Sequence, residues 1–365
     1  MGRAYRSKSS GRTHVRPDRI SPVISLPMHT ERLLLRMATT EDLPTIAAYR
    51  NDPEVARYQD WPLPYTLDDA VEGFRRVADL DGPAVGRSVN VMIEHEGEVV
   101  GDVFVGIGDE HPGGAVAFLG YTLATRHQGK GFASEAASAM VDAVFEHTPV
   151  HRIVATLDPE NTASMRLLEQ LGFTFEGLAR QAEPIRGEWL DDMRFGLLRD
   201  DRAAWRARPR SCEHVALVEV TPDNLRAVLA LETHRFQRRF VAPMEASLAQ
   251  ALVPEIVKDG VAAVPWYRAI EADGEIVGFV MVADVSPVEP FPFLWRLLID
   301  RRHQRRGVGA KAIAALVEHV RARGHRALGV SWVDAPGGPR PFYERLGFVP
   351  TGEFDDDEVI ARLDL

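Results

Sequence analysis

Two glycine-containing loops in this sequence have the residue types and spacing that a phosphate-bearing ligand requires. The first loop is Arg126-x-x-Gly129-x-Gly131 and the second is Gln304-x-x-Gly307-x-Gly309. Each lies between an apolar segment that predicts a strand and an amphipathic segment that predicts a helix. Glycine lets a backbone approach a ligand closely, and the first N–H groups of a helix point outward at the positive end of its dipole. Each loop therefore predicts an anion site suited to a pyrophosphate.

The candidate ligand contacts in these loops are backbone groups and polar side chains. Lys130, Arg305 and Arg306 can add positive charge for further phosphates. Neither loop has the dinucleotide pattern G-x-G-x-x-G or the Gly-Lys-Ser/Thr of a P-loop, which disfavours hydride transfer and nucleotide hydrolysis. The candidate set is Arg126, His127, Gln128, Gly129, Lys130 and Gly131 in the first loop, and Gln304, Arg305, Arg306, Gly307, Val308 and Gly309 in the second.

The chain repeats itself at low similarity. The second loop follows the first by about 178 positions, and a Leu-Gly-Phe tripeptide lies about 40 residues after each loop. Two segments that match in the same order at nearly the same offset predict duplicated domains, and 365 residues exceed the usual size of one domain. A charged, proline-broken stretch predicts the connection between them. The expected division is a leader over 1–24, a domain over 25–198, a linker over 199–214 and a domain over 215–365.

Composition limits the class of protein. The net charge is −10, although residues 1–24 hold six Arg/Lys and one Asp, and this basic leader is expected to be disordered. An acidic body disfavours nucleic acid and favours cationic acceptors. There is neither an apolar stretch of ~20 residues that could span a bilayer nor a secretory signal. One cysteine, Cys212, excludes an internal disulfide and favours a reducing cytoplasm.

The order of elements is the same in both halves. Each half predicts a strand, a helix and a hairpin with Glu-Gly or Asp-Gly at its tip. A strand, the glycine loop, a helix, another strand, the short Leu-Gly-Phe helix and a closing pair of strands follow. Strands first, then strand–helix–strand, predict a mixed α+β fold in each half.

These motifs resemble the GNAT N-acetyltransferases, in which Q/R-x-x-G-x-G/A precedes a later (Y/L)-x-x-L-G-F. The first half is similar to the RimJ/RimL group and to related antibiotic acetyltransferases, through 30–36, 129–135, Asn161-x-x-Ser164 and 187–191. The second half is similar to bacterial spermine/spermidine acetyltransferases, through 240–243 with 247–249, 295–300, and 351–353 with 361–365. The resemblance implies two GNAT folds in tandem, each a mixed, centrally splayed β-sheet flanked by helices.

The resemblance also implies the ligand and several roles. In that family the loop amides hold the pyrophosphate of coenzyme A, and pantetheine lies between the two splayed parallel strands. Acetyl-CoA is then the cofactor of an acyltransferase that acetylates an amine. Backbone groups near Thr122 and Leu123 in the first half, and near Leu298 and Ile299 in the second, would polarise the thioester carbonyl.

The same likeness suggests an acid for the departing thiolate in each half. Tyr343 occupies the position of the family's tyrosine, with packing under the Leu-Gly-Phe turn as the alternative. The first half has Leu168 there, so Ser164 becomes the donor. Asn161 would bond the pantetheine or simply cap its helix. Without a tyrosine, the first half could be a CoA-binding module that does not turn over.

The base and the acceptor are less defined. Glu94 and Glu271 end hairpin strands and are candidate bases, or else solvated hairpin acids. Asp355, Asp356 and Asp357 belong to the acidic run 353–358, either a site for a polycationic acceptor or a solvated face. The twelve histidines have no metal-ligand spacing. The expected partner is a small-molecule amine such as a polyamine, without nucleic acid or membrane. A protein N-terminus or an aminoglycoside is the alternative through the first half, and a homodimer stays open.

Overall fold

The computed structural model describes residues 24–108, 115–253, 256–257, 261–284 and 291–365. The chain divides into two compact units, with the boundary between Arg206 and Ala207. The predicted leader lies outside the described residues except for Ile24, which is fully buried in the first unit.

The first unit contains an eight-stranded sheet in the order β1-β2-β3-β4-β5-β6-β8-β7. Neighbouring strands are antiparallel except β5 and β6, which are parallel. The strands are β1 Met28–His29, β2 Leu34–Arg36, β3 Ser88–His95, β4 Glu98–Ile107, β5 Ala115–Leu123, β6 Val150–Leu157, β7 Thr174–Ile185 and β8 Glu188–Leu198. The helices are α1 Leu43–Arg50, α2 Pro53–Ala56, α3 Leu67–Arg75, α4 Phe132–His147, α5 Thr162–Leu171 and α6 Arg199–Ala207.

The second unit repeats this plan. Its seven-stranded sheet has the order β16-β17-β15-β14-β13-β12-β9, and β14 and β15 are its parallel pair. The strands are β9 Val215–Val218, β12 Pro265–Ala272, β13 Glu275–Ala283, β14 Phe293–Ile299, β15 Ala327–Val333, β16 Val349–Asp355 and β17 Glu358–Asp364, with a separate pair β10 Ile256–Val257 and β11 Val261–Ala262. The helices are α7 Leu225–Leu229, α8 Met244–Leu252, α9 Val308–Ala322 and α10 Arg340–Arg345.

Helices cover both faces of the second sheet because its strands are apolar on both sides. Val280 packs in one core cluster with α9, whereas its neighbour Phe279 packs in another with α7 and α8. Successive strand residues point to opposite faces, so α9 and the α7–α8 pair lie on opposite faces. This arrangement and its counterpart in the first unit confirm the predicted mixed α+β folds.

The parallel strands at the centre of each sheet diverge. β5 pairs with β6 only over Ala115–Phe118, and β14 pairs with β15 only at Phe293 and Leu294. Both β5 and β14 continue for five residues beyond their last pair, so one edge of each is open there. The resulting cleft opens towards the glycine loop that follows the strand. The predicted splayed sheet is therefore present in both units.

The predicted linker over 199–214 is too long. Residues Arg199–Ala207 form α6, which packs on the first unit: Trp205 is buried, and the Arg202 Nε donates to Asp142 Oδ1 at 2.8 Å. Aspartates in its first turn and an arginine in its last suit the helix dipole. The connection is therefore confined to the residues after Ala207. None of the helices in the described ranges combines the length and apolar content that crossing a bilayer requires.

Candidate functional site

The two glycine loops are equivalent, but in a different register from the one the sequence suggested. Helix α4 begins after Gly131 (φ 83°) and α9 begins after Gly307 (φ 82°). In both units a glutamine three residues earlier donates its amide to the last carbonyl of the strand, Gln128 to Leu123 at 3.1 Å and Gln304 to Ile299 at 3.0 Å. Gly131 therefore matches Gly307, and the repeat distance here is 307 − 131 = 176 residues.

The loops have the openness that close approach of a ligand needs. Apart from the glycine itself and its two chain neighbours, no heavy atom of the described residues lies within 4 Å of the point where a Cβ would stand on Gly129 or Gly307. The cap residues Gly131 and Gly307 offer no side chain to the first N–H groups of their helices. Those N–H groups remain available at the positive end of a long helix, which fits a pyrophosphate.

The basic side chains of the loops have different surroundings. Lys130 and Arg305 are exposed and can face a ligand. Arg306, in contrast, is buried: its guanidinium contacts His303 Nδ1 at 2.6 Å and Asp273 Oδ2 at 3.4 Å, and donates to Ser211 O at 3.3 Å. The prediction that Arg306 binds phosphate is therefore wrong, because the guanidinium is used in contacts within the protein that hold the loop in place.

The histidines before the loops pair with hairpin glutamates. His127 Nε2 lies 3.6 Å from Glu98 Oε2, and His303 Nε2 lies 3.5 Å from Glu275 Oε1. Arg126 contacts the same Glu98. Burial lowers the pKa of both histidines, which makes them neutral at pH 7. The buried His127 Nδ1 has no hydrogen-bond partner among the described residues.

The open edge of each splayed strand presents alternate backbone groups. The Ala124 N–H donates to Val100 O at 3.0 Å and the Asp300 N–H to Val277 O at 2.9 Å. Backbone groups alternate in direction along an antiparallel strand. The backbone groups of Leu123 and Ile299 therefore face the cleft. The backbone groups of Thr122 and Leu298, which are also predicted to polarise the thioester carbonyl, face the neighbouring strand instead.

Tyr343 lies on α10 within an aromatic cluster beside the second cleft. Its ring stacks on Trp332 with a 5.6 Å centroid separation and meets Phe348 edge-on at 5.5 Å. Burial, and then the negative charge of Glu358, raises the pKa of Tyr343, so the phenol stays protonated at neutral pH. The buried Trp332 Nε1 has no hydrogen-bond partner in the described part of the chain. Such a donor fits a ligand that carries amide carbonyls, as pantetheine does.

The first unit has a different pair of hydroxyls at the corresponding place. Asn161 Oδ1 accepts the Ser164 N–H at 3.0 Å, so the helix-capping alternative for Asn161 is confirmed. The Tyr121 hydroxyl lies 2.8 Å from Ser164 Oγ, and burial raises the pKa of Tyr121. Tyr121 belongs to the part of β5 that still pairs with β4 but no longer pairs with β6, and no motif in the sequence pointed to it. The available signal was an aromatic residue in the predicted strand directly before the glycine loop.

The two predicted bases lie at the loop end of their sheets. Glu94 pairs in register with Val99 and forms an ion pair with Arg36 at 2.7 Å. Glu271 pairs with Ile276, also beyond the end of the splayed strand. Five strand residues separate that end from the point where the parallel strands diverge, or about 17 Å. Neither glutamate is brought to the point of divergence, and Glu94 is engaged in a structural ion pair.

Two other carboxylates had no individual role predicted from the sequence, although Glu358 belongs to the predicted acidic run 353–358. Asp102 is buried opposite Thr122 and accepts hydrogen bonds from Tyr49 Oη at 2.5 Å and Asn90 Nδ2 at 2.6 Å. Glu358 is the first residue of β17 and is partly buried. Its Oε2 accepts a hydrogen bond from the Ser331 hydroxyl, with 2.5 Å between the two oxygens. The predicted acceptor residues Asp355, Asp356 and Asp357 are all exposed at the tip of the β16–β17 hairpin.

The comparisons with known proteins agree with this geometry. The acetyltransferase (GNAT) domain pattern matches residues 32–174, and the acetyltransferase (GNAT) family pattern matches residues 236–348. An uncharacterized N-acetyltransferase, p20 of Bacillus licheniformis, is 35% identical over 177 residues, which are 48% of this chain and 98% of that protein. The chain belongs to the GNAT acetyltransferase family.

This GNAT protein has further relatives. The ribosomal protein uS5-alanine N-acetyltransferase of Escherichia coli is 37% identical over 84 residues, 23% of this chain and 43% of that enzyme. The structure of Mycobacterium smegmatis RimJ in complex with CoA-disulfide covers 46% of this chain and 83% of its own, with 24% identity and a TM-score of 0.41.

The family fixes the general chemistry. The chain holds two GNAT domains in tandem and is an acyltransferase whose cofactor is acetyl-CoA. Within the described ranges, no three or more His, Cys, Asp or Glu side chains are grouped to hold a metal ion. The likeness of the second half to spermine/spermidine acetyltransferases, the cytoplasmic location and the homodimer stay predictions.

Proposed function

We propose that the chain is an N-acetyltransferase with one acetyl-CoA site in each domain, and that the second domain acetylates a primary amine. The observation that supports catalysis in the second domain is Tyr343, a phenol held neutral beside the point where β14 and β15 diverge. A neutral phenol can protonate a departing thiolate, which is the proton donation that this transfer requires.

The residues of each domain divide the work. Acetyl-CoA supplies a thioester that an amine can attack. The first N–H groups of α4 and α9 hold the pyrophosphate, and Lys130 and Arg305 add positive charge. The N–H groups of Leu123 and Ile299, whose carbonyls accept hydrogen bonds from the loop glutamines, orient the arm that enters the cleft. Tyr343 donates a proton in the second domain, and Ser164 with Tyr121 offers hydroxyls in the first.

The acceptor we propose for the second domain is a polyamine or a similar cationic amine. The motif likeness of that domain supports the proposal, as does the position of the acidic tip. Strand β17 pairs with β15, which borders the cleft. The tip of the β16–β17 hairpin therefore lies at the end of the sheet where the cleft is open, and it carries the exposed carboxylates of Asp355, Asp356 and Asp357. Carboxylates there would attract several ammonium groups at once.

The first domain has a second candidate function, acetylation of a protein N-terminus. The match to the uS5-alanine N-acetyltransferase favours it. An aminoglycoside is a further acceptor to test, since the first-domain motifs resemble antibiotic acetyltransferases. A domain that only holds coenzyme A is the remaining alternative, because Leu168 replaces the tyrosine that the second domain has.

The test is thiol release from acetyl-CoA, together with the mass of each acceptor. Spermidine, a peptide with N-terminal alanine and kanamycin are offered to the wild type and to the Ser164→Ala and Tyr343→Phe variants. We expect acetylated spermidine that Tyr343→Phe suppresses and Ser164→Ala does not. Release with the peptide alone, sensitive only to Ser164→Ala, would transfer catalysis to the first domain. No release with any amine would leave a coenzyme A-binding protein and refute the proposal.

A further inference from the structure

We propose that Glu358 is the carboxylate that receives the acceptor amine in the second domain and takes its proton. The inference rests on the proposed function of that domain and deepens it. Neither predicted base reaches the point where the strands diverge, whereas Glu358 lies beside it.

The strand register places Glu358 next to the cleft. The last pair between β14 and β15 joins Leu294 to Val330, so Ser331–Val333 border the open part. Glu358 pairs with Val333, and its Oε2 accepts a hydrogen bond from the Ser331 hydroxyl, with 2.5 Å between the two oxygens. The carboxylate is thus tied to the first β15 residue beyond the divergence.

Glu358 and Tyr343 lie on opposite faces of β15. Val330 and Trp332 pack in the core cluster with α9, and Tyr343 belongs to the same cluster. Because side chains alternate along a strand, Ser331 and Val333 point to the α7–α8 face. Directly paired residues share a face, so Glu358 also points there. A ligand arm between the two strands would therefore have the phenol on one side and the carboxylate on the other.

The surroundings of the two groups separate their roles. Burial and the charge of Glu358 both raise the pKa of Tyr343, which suits a proton donor. Glu358 is partly exposed, and its Oε2 accepts a hydrogen bond from the Ser331 hydroxyl, so the carboxylate is held in place and is accessible to a cationic ligand. The neighbouring Asp355–Asp357 are exposed and lack this placement.

The proton balance of the step is closed. Glu358 holds the acceptor ammonium, which first gives up one proton to solvent to become the neutral amine. Glu358 then accepts a second N–H proton as the amine nitrogen bonds to the acetyl carbon. The carbon–sulfur bond breaks, and Tyr343 gives its proton to the sulfur. Solvent then returns a proton to Tyr343 and removes one from Glu358, so no further reactant is needed.

The test uses the full chain with spermidine as the probe acceptor. We expect Glu358→Gln to lower kcat by about 10²–10⁴-fold, the usual scale for a lost general base. Spermidine binding to the CoA-loaded protein, measured by calorimetry, should weaken by about 10-fold or more, since a charge-assisted contact is lost. Glu358→Asp should restore part of kcat, and Ser331→Ala should reduce it more mildly. Asp364→Asn, the same charge change at the far end of β17, is the control.

The outcomes separate the inference from the function on which it rests. A Glu358→Gln variant with kcat and spermidine affinity near those of the wild type overturns the assignment. A variant that loses acetyl-CoA affinity and melting temperature in proportion to activity shows a structural role and also overturns it. A wild type that neither releases thiol nor binds spermidine overturns the proposed function, and the assignment with it.

Discussion

Replacing Gly307 by aspartate should close the acetyl-CoA site of the second domain and leave the fold intact. Gly307 is the residue before α9 and has φ 82°, a conformation that costs a side chain about 1–2 kcal/mol. Beyond the two chain neighbours, a Cβ there meets no described heavy atom within 4 Å, so the change adds no steric clash with other parts of the domain. A negative charge at a helix N-terminus stabilises the helix by about 0.3–1 kcal/mol, which offsets part of this cost. The free energy of unfolding should therefore fall by only about 1 kcal/mol.

The same charge should be far more costly for the ligand. One aspartate at ~5 Å from one phosphate charge, with an effective dielectric constant of ~20, gives about 3 kcal/mol of repulsion. That corresponds to roughly 100-fold weaker binding. Isothermal calorimetry with acetyl-CoA measures this change, and unfolding in urea measures the stability.

Two matched variants isolate the cause. Gly307→Ala keeps the backbone strain without the charge, and we expect acetyl-CoA affinity within a few-fold of the wild type. Gly324→Asp has a similar φ of 84° and equally open space, but it follows the other end of α9, so it should cost stability alone. If Gly307→Asp binds acetyl-CoA like Gly307→Ala, the pyrophosphate does not lie at this helix end and the site assignment is wrong.

Three further predictions concern catalysis, the acceptor and stability. Tyr343→Phe should lower kcat for thiol release by about 10²–10⁴-fold, with little change in the KM for acetyl-CoA, because the hydroxyl acts in the transition state; unchanged kcat refutes this role. The triple replacement of Asp355, Asp356 and Asp357 by asparagine should raise the KM for spermidine severalfold and weaken the dependence of that KM on salt concentration. The KM for a singly charged amine should not change. Equal effects on both amines would show that these aspartates are only a solvated surface. Despite partial burial, which opposes ionisation, hydrogen bonds from Thr30 and Arg32 lower the pKa of Glu135 in the folded protein. Glu135→Gln should therefore reduce the free energy of unfolding in urea by its full amount above the unfolded pKa of about 4.3, and this loss should vanish as pH falls through the lower folded pKa. A loss of stability that does not depend on pH would contradict this prediction.

The repeated architecture was predictable because it depends on local patterns. The glycine loops, the hairpin tips and the Leu-Gly-Phe turns each have a short sequence signature, and their order occurs twice. The loop register was less predictable, because Gly129 and Gly131 both fit the pattern. Only the start of α4 shows that Gly131 matches Gly307, whereas Gly129 matches Arg305, which also has a positive φ of 62°.

The partners of charged side chains could not be predicted from the sequence, because they come from distant segments. Glu94 meets Arg36 across the sheet, and Arg306 meets Asp273 and Ser211. The place of Glu358 depends on which residues of β15 and β17 pair. An acidic run gives no sign that one of its members points inward while the others are solvated.

The central claim is that the chain holds two acetyl-CoA sites, one for each glycine loop. Native mass spectrometry of the full chain with excess acetyl-CoA counts bound ligands directly. We expect two ligands per chain in the wild type, falling to one in Gly307→Asp and also to one in Gly131→Asp. A single bound ligand in the wild type, retained in one of these two variants, would contradict the claim.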